Sequence, residues 1–333
     1  MLTTVNSSRA TAPLTPGILA AVTLGVSALV LGKWLPVVGG PVFAVLLGAG
    51  IVLGFGRCAG LQPGLKFASK WFLQIAVVLL GAKLSLKDIS QIGLSSLPIL
   101  IGTLGVCFLG GRFIGKALKI DDNTRTLITV GTGICGASAI ATVAPVIAAT
   151  AAQVSYAMST IFLFNIGAVL LFPVLGNLLN LSDFDFGLFA GTAVNDTSSV
   201  VAAAATFSVA AMNYAVVVKL VRTLAIIPVA VTLGIKHAQV TYKPWYLRIF
   251  QYVPWFLIGF ILLALLNSVA PLPPSAAEPI TFLATMLITV ALAAIALSTD
   301  IQAIKQAGFR PLILGAVLWA LLIVTSLALL WLF

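Results

Sequence analysis

Apolar runs of about 20 residues, the length of a membrane-spanning helix, recur from residue 15 to the C-terminus with short polar stretches between them. The runs are continuous and rich in Leu, Ala and Gly, without the alternation of a barrel strand. The pattern predicts an all-α polytopic membrane protein with about eleven transmembrane helices. They fall at 15–34, 37–55, 69–86, 92–111, 124–149, 153–178, 186–206, 212–235, 249–269, 279–298 and 311–332. Residues 1–14 read as a polar cytoplasmic tail. The apolar run after Gly17 continues to Lys33-Trp34 without a small-residue cleavage site, so it reads as a retained first helix. No linker is visible, and 1–333 reads as one transporter-sized transmembrane domain.

With 61% hydrophobic and 8% charged residues, the chain lacks the polar shell of a soluble domain of this size. Its net charge of +10 has no aromatic-interleaved basic patch to suggest nucleic acid; it reads instead as a positive-inside bias. Arg9, Arg57, Lys66, Lys70, Arg112, Lys116, Lys119, Arg125, Lys236, Lys243, Arg248, Lys305 and Arg310 fall on one side, and Lys33, Lys83 and Lys87 on the other. This arrangement predicts a cytoplasmic N-terminus, an external C-terminus and an odd helix count. The connection 179–185 works against it, because it offers only Asp183 and Asp185. Cys58, Cys107 and Cys135 are an odd number on separate segments, so no disulfide framework is expected. His237 is the sole histidine, so neither a His/Cys metal cluster nor a cofactor is expected.

Two internal similarities stand out. LSLKDISQIGLSSLPIL (84–100) matches LSTDIQAIKQAGFRPLIL (297–314), and the preceding helices run in opposite directions, which predicts inverted repeats with the site at mid-membrane. GTGICGASAI (131–140) also matches GTAVNDTSSV (191–200). Eleven crossings make that pair parallel, so either one segment is re-entrant or the likeness is convergent.

The candidate chemistry sits in these last motifs. Three glycines in GTGICGAS weaken a helix by about 1 kcal/mol each relative to Ala, which predicts either close packing or a broken helix. A break would turn freed N–H groups, Thr132, Gly133, Gly136 and Ser138 toward a cavity. Thr192, Asn195, Asp196 and Ser198 crowd the second motif. Lys219 and Arg222 share one helical face at i,i+3 spacing, too deep to snorkel. An ionised group at mid-bilayer costs about 2.5–3.5 kcal/mol, so such groups pair or act on a solute. Two cations against Asp196 leave the site short of one anion, and Arg suits oxyanions through its fixed fork. Gln74 and Asn165 read as path-lining or interhelical amides, Asp300 as a solvated helix end and Cys135 as a buried thiol.

Together GTGICGASAIATVAP, AGTAVNDTSSVVAA, KLVR and ALSTDIQAIKQAGFRPL resemble the YeiH-like family, bacterial inner-membrane proteins described as sulfate exporters, over nearly the whole chain. The family is grouped with bile-acid, arsenite and riboflavin transporters, which implies an elevator-type fold with broken, crossing helices. Asn195 departs from it, since a His commonly precedes the acidic residue there. The expected function is a secondary transporter, by preference an exporter, of a small anion such as sulfate, another oxyanion or a sulfonate. Lys219, Arg222 and the 131–138 donors would hold the anion, and Asp196 would couple or gate. The expected partners are that solute, the bilayer, a coupling proton or sodium ion and a second copy in a homodimer. The competing reading is a cation or proton antiporter with Asp196 as ion carrier and Lys219 as counter-charge. No HExxH or GxSxG motif supports hydrolysis.

Overall fold

The computed structural model describes residues 13–34, 39–56, 58–236, 255–299 and 309–332. Arg9, Arg57, His237, Lys243, Arg248, Asp300 and Lys305 lie outside them. The described residues are helical, with no strand among them. The helices are α1 (Thr15–Trp34), α2 (Gly39–Phe55), α3 (Gln62–Gly81), α4 (Leu86–Ala117), α5 (Asp122–Val130), α6 (Ala137–Val146) and α7 (Ala151–Leu178). They continue as α8 (Asp183–Ala193), α9 (Thr197–Phe207), α10 (Val209–Thr223), α11 (Ile226–Lys236), α12 (Trp255–Val269), α13 (Pro274–Ser298) and α14 (Phe309–Leu332). Seven described helical stretches, with Val209–Lys236 taken as one, are long and apolar enough to cross a membrane.

Two of the expected crossings, 124–149 and 186–206, do not cross. Each is a hairpin that returns to the end of the molecule it came from. The first, α5–α6, begins at Asp121, whose carboxylate caps α5 by accepting from Thr124 N at 3.0 Å. The Gln153 side chain, in the first turn of α7, donates to that same carboxylate at 2.7 Å. The exit of α6 therefore stands beside the entrance of α5. In the second, α8–α9, Ser208 follows the last residue of α9 and donates to Asp183, the first residue of α8, at 2.6 Å. Phe186 and Phe207 stack there with centroids 4.0 Å apart.

The hairpins enter from opposite ends. The connection between α4 and α5 is only four residues long, so α5 enters where α4 finishes. The 28 residues of α7, about 42 Å at 1.5 Å per residue, then carry the chain across. There the starts of α8 and α10 meet the start of α4, with Phe184, Asn213 and Tyr214 facing Asp88, Gln91 and Ser95 across one cavity. Val209–Lys236 runs back, and Lys236 shares a pocket with Arg112 and Arg125. The end carrying these three cations is called the basic end below. The acidic connection 179–185 now falls at the opposite end, which removes its conflict with the charge pattern.

The hairpins are held by small residues. Gly187 and Gly191 form an i,i+4 stripe on α8 that lies against α10. A Cβ at Gly187 would sit 2.4 Å from Tyr214 Cβ, and one at Gly191 2.7 Å from Val218 Cβ. Such stripes let helix backbones approach where lipid supplies no hydrophobic drive. At the basic end two apolar clusters remain separate. Ile128, Val143, Ile161 and Leu318 pack around α5–α6, while Ala21, Val52, Leu65 and Val290 join α1, α2, α3 and α13.

The hairpin topology has a direct test in a Cys58→Ser background, since Cys107 and Cys135 are buried. Ala151→Cys should label with impermeant maleimide from the same side as Lys116→Cys, and Asn177→Cys from the other side. Eleven simple crossings require the reverse for both.

Candidate functional site

Each hairpin leaves helix ends inside the molecule. After α5, residues Gly131–Cys135 form one π turn and the chain reverses at Gly136, with φ +64° and ψ −127°. Only glycine adopts that conformation without strain. The break lies inside the expected interval from Gly131 to Ser138. The second tip is Val194, Asn195 and Asp196, extended at Val194 and Asp196. The tips meet, because a Cβ at Gly136 would stand 3.1 Å from Asp196 Cβ.

A helix end leaves four carbonyls without intrahelical partners, and an orphaned buried carbonyl costs about 1–3 kcal/mol. Lys219 and Arg222 satisfy those ends. Lys219 Nζ donates to Ile134 O and Val194 O at 2.9 Å each and to Asn195 O at 2.5 Å. Arg222 donates through Nε to Gly133 O at 2.6 Å and through Nη2 to Thr132 O at 3.0 Å. Its Nη1 reaches Thr192 O and, at 3.3 Å, Val194 O. Each cation thus ties both tips together. Lys219 is 0% and Arg222 1% exposed, and a buried ion is tolerated only when its hydrogen bonds are made.

Sequence reasoning assigned these two cations to a solute; here their hydrogen bonds go to backbone carbonyls of the two tips. The C-termini of the two entering limbs each contribute about −0.5 charge. Two cations against those two ends leave about +1, which Asp196 matches. The starts of α6 and α9 at the same tips add about +0.5 each, so the tips as a whole keep about one positive charge in excess.

The accessible polar groups lie on the other side of the tips. A cavity of about 670 Å³ is lined by Ala137, Ser138, Asp196, Thr197 and Ser198, the first turns of α6 and α9. Its far wall is Lys66, Ser69, Lys70 and Gln74 of α3, with Ser155 and Ser159 of α7 and Ser298 and Thr299 at the end of α13. The two first turns differ. Asp196 caps α9, accepting from Ser198 N at 3.0 Å and from Ser198 Oγ, while its own N–H donates to Asn165 Oδ1 at 3.2 Å. Gly136, at the start of α6, offers no side-chain cap, and Ala137 and Ser138 of that first turn line the cavity. Helix N-termini carry about +0.5 charge each, so with Lys66 and Lys70 the cavity is electropositive around one carboxylate.

Of the residues expected to bind, Ser138 and Ser198, with the coupling candidate Asp196, line this cavity. Thr132, Gly133, Thr192 and Asn195 lie behind the tips, where their carbonyls receive Lys219 and Arg222. The Thr192 hydroxyl pairs with Ser326 at 2.6 Å. Gly136 supplies the reversal. Gln74 lines the cavity and accepts from Trp255 Nε1 at 2.9 Å. Sequence reasoning missed Lys66, Ser69 and Lys70 because it placed the first before the helix 69–86 and the other two at its start. Their i,i+3/i+4 spacing on an apolar helix was the available signal.

Lys219→Met and Arg222→Met should each lower stability by about 3–5 kcal/mol, read as thermal unfolding in detergent. Unchanged stability with lost solute affinity would return both cations to the binding site. Gly136→Ala should cost about 1–3 kcal/mol through its backbone conformation alone, and a neutral result there would contradict the sharp reversal.

Comparison with known proteins agrees with a membrane assignment. Residues 16–315 match the family model described as Conserved hypothetical protein 698. A UPF0324 membrane protein of Streptococcus agalactiae is 42% identical over 321 residues, covering 94% of this chain and 95% of the relative. One from Streptococcus mutans is 39% identical over 326 residues, and one from Clostridium tetani 36% over 326 residues. Both cover 93% of this chain, and the matches span 95% and 94% of those relatives. The chain therefore belongs to the UPF0324 membrane protein family.

Proposed function

We propose that this membrane protein is a secondary transporter of a small anion, with sulfate, another oxyanion or a sulfonate as the substrate class. The observation that carries the reading is the uncapped first turn of α6, which opens on an electropositive cavity beside Asp196. The anion accepts from the N–H groups at Ala137 and Ser138 and from the hydroxyls of Ser138 and Thr197, and Lys66 and Lys70 attract it from the basic end. Anions at helix N-termini gain about 0.3–1 kcal/mol each, up to about 2 kcal/mol where partly buried. Asp196 competes with the anion for the same positive region, so it is the natural point of coupling, to a proton or a sodium ion.

Two hairpins entering from opposite ends, with matching motifs at tips that touch, support an inverted repeat, the arrangement in which transporters alternate access around a central site. They also answer why the two motifs looked parallel. The cluster around α5–α6 stands apart from the one that joins α1, α2, α3 and α13, with the cavity between them. The main core packs α2 and α13 against α9, so an elevator-type movement would part that contact. With the basic end cytoplasmic by the positive-inside rule, the bacterial inner membrane holds the N-terminus inside and the C-terminus outside. The cavity then loads from the cytoplasm. Export of one negative charge from an inside-negative cell gains about 2.3 kcal/mol per 100 mV. The antiporter reading has less support, because Lys219 gives its hydrogen bonds to three carbonyls rather than to Asp196.

Lys66→Gln and Lys70→Gln should each weaken anion binding by about 1 kcal/mol, about fivefold, in protein of unchanged stability. Thermal shift against sulfate, thiosulfate and alkanesulfonates is the measurement, since a ligand at 100 times its Kd stabilises by about 2.7 kcal/mol. Equal shifts in wild type and both variants would remove the cavity from the mechanism. The sign of charge moved in proteoliposomes separates anion transport from cation antiport.

A further inference from the structure

A second cavity, of about 460 Å³, lies at the basic end between α4, α5 and α11. Three cations from three helices face it: Arg112, Arg125 and Lys236. Arg125 is partly committed, with Nη2 2.9 Å from Asp122 Oδ1, but that carboxylate is 82% exposed and does not line the cavity. The wall therefore presents three positive charges with one carboxylate nearby. The threonine hydroxyls in the wall are not free donors. Thr126 donates to Asp122 O, Thr129 to Arg125 O and Thr232 to Pro228 O, all within 2.7–2.8 Å. Recognition here rests on charge.

The rest of the wall is hydrocarbon, from Phe108, Leu109, Pro228 and Val229. Leu109 is 59% exposed, and Phe113 beside Arg112 is 66% exposed, so the apolar wall continues onto an open helix face. A free anion would satisfy the cations and leave that wall in contact with water. An occupant with a phosphate at one end and acyl chains at the other satisfies both. Basic pockets between membrane helices on the cytoplasmic side suit anionic headgroups, each nearby cation contributing to attraction. We infer that this cavity is a binding site for an anionic glycerophospholipid, its phosphate held by Arg112, Arg125 and Lys236 and its chains laid along α4 and α11.

The inference is independent of the proposed transport site and is tested without transport. The full chain, purified in neutral detergent, is titrated with phosphatidylglycerol, phosphatidylcholine or inorganic phosphate while its unfolding midpoint is followed. Phosphatidylglycerol should raise the midpoint with half-saturation at least tenfold below that of phosphatidylcholine, and phosphate should have no effect at millimolar concentration. The double variant Arg112→Gln/Lys236→Gln alters two exposed side chains and should keep the lipid-free midpoint. It should shift the phosphatidylglycerol half-saturation upward at least tenfold. Should that variant lose stability, Lys236→Gln alone, at the last residue of α11, should give at least a threefold shift. Equal response to the two lipids, an unshifted titration in the variant, or stabilisation by phosphate itself would each overturn the assignment.

Discussion

The fold depends on how helix ends are kept inside a dry interior. Two helices stop at the middle of the molecule, and their last carbonyls point where neither water nor a following turn can reach them. Lys219 and Arg222 sit on one face of α10, close to the middle of the stretch Val209–Lys236, and deliver their donors to carbonyls of both tips. Neither side of this arrangement is stable alone. Bare carbonyls would be orphaned and bare cations would be uncompensated, each at a penalty of kilocalories. The Gly187–Gly191 stripe is what brings α8 close enough to α10 for the side chains to reach.

Neutralising the inward C-termini leaves the inward N-termini as the reactive face. Both tips reverse direction within a few residues, so α6 and α9 start where α5 and α8 end, and their first turns face the cavity. Asp196 fills one of these turns and none of the described side chains caps the other. That asymmetry separates a place where a negative charge is built in from one where a negative charge can arrive. The lysines on α3 then act at longer range, in the partly hydrated mouth of the cavity, where a charge attracts without an insertion penalty.

Much of this was legible in the sequence. The apolar period gave the helices and the GTGICGAS glycines located one break, while Asn195-Asp196 was read as a polar cluster inside a continuous span. What the sequence could not show was direction. A hairpin of two ten-residue limbs and a single crossing of about 24 residues have the same hydropathy, so α5–α6 and α8–α9 were both counted as spans. The hints were the acidic connection 179–185, which disagreed with the charge pattern because it lies at the other end, and the paired motifs 131–140 and 191–200, which eleven crossings left parallel. Lys219 and Arg222 were singled out, but their partners are backbone groups, which every residue carries and no composition reveals. Lys66 and Lys70 were read as topology signals for a similar reason: charge near a helix end looks the same whether it faces a headgroup or a cavity.

In the proposed site the solute sits on the N-terminal side of the tips, away from the buried cations. Selenate, a heavier stand-in for sulfate, makes this visible through anomalous scattering in crystals of the protein. The predicted peak lies in the cavity next to Ser138 and Thr197. A peak within hydrogen-bonding distance of Lys219 Nζ or the Arg222 guanidinium, with their carbonyl bonds broken, would contradict the account.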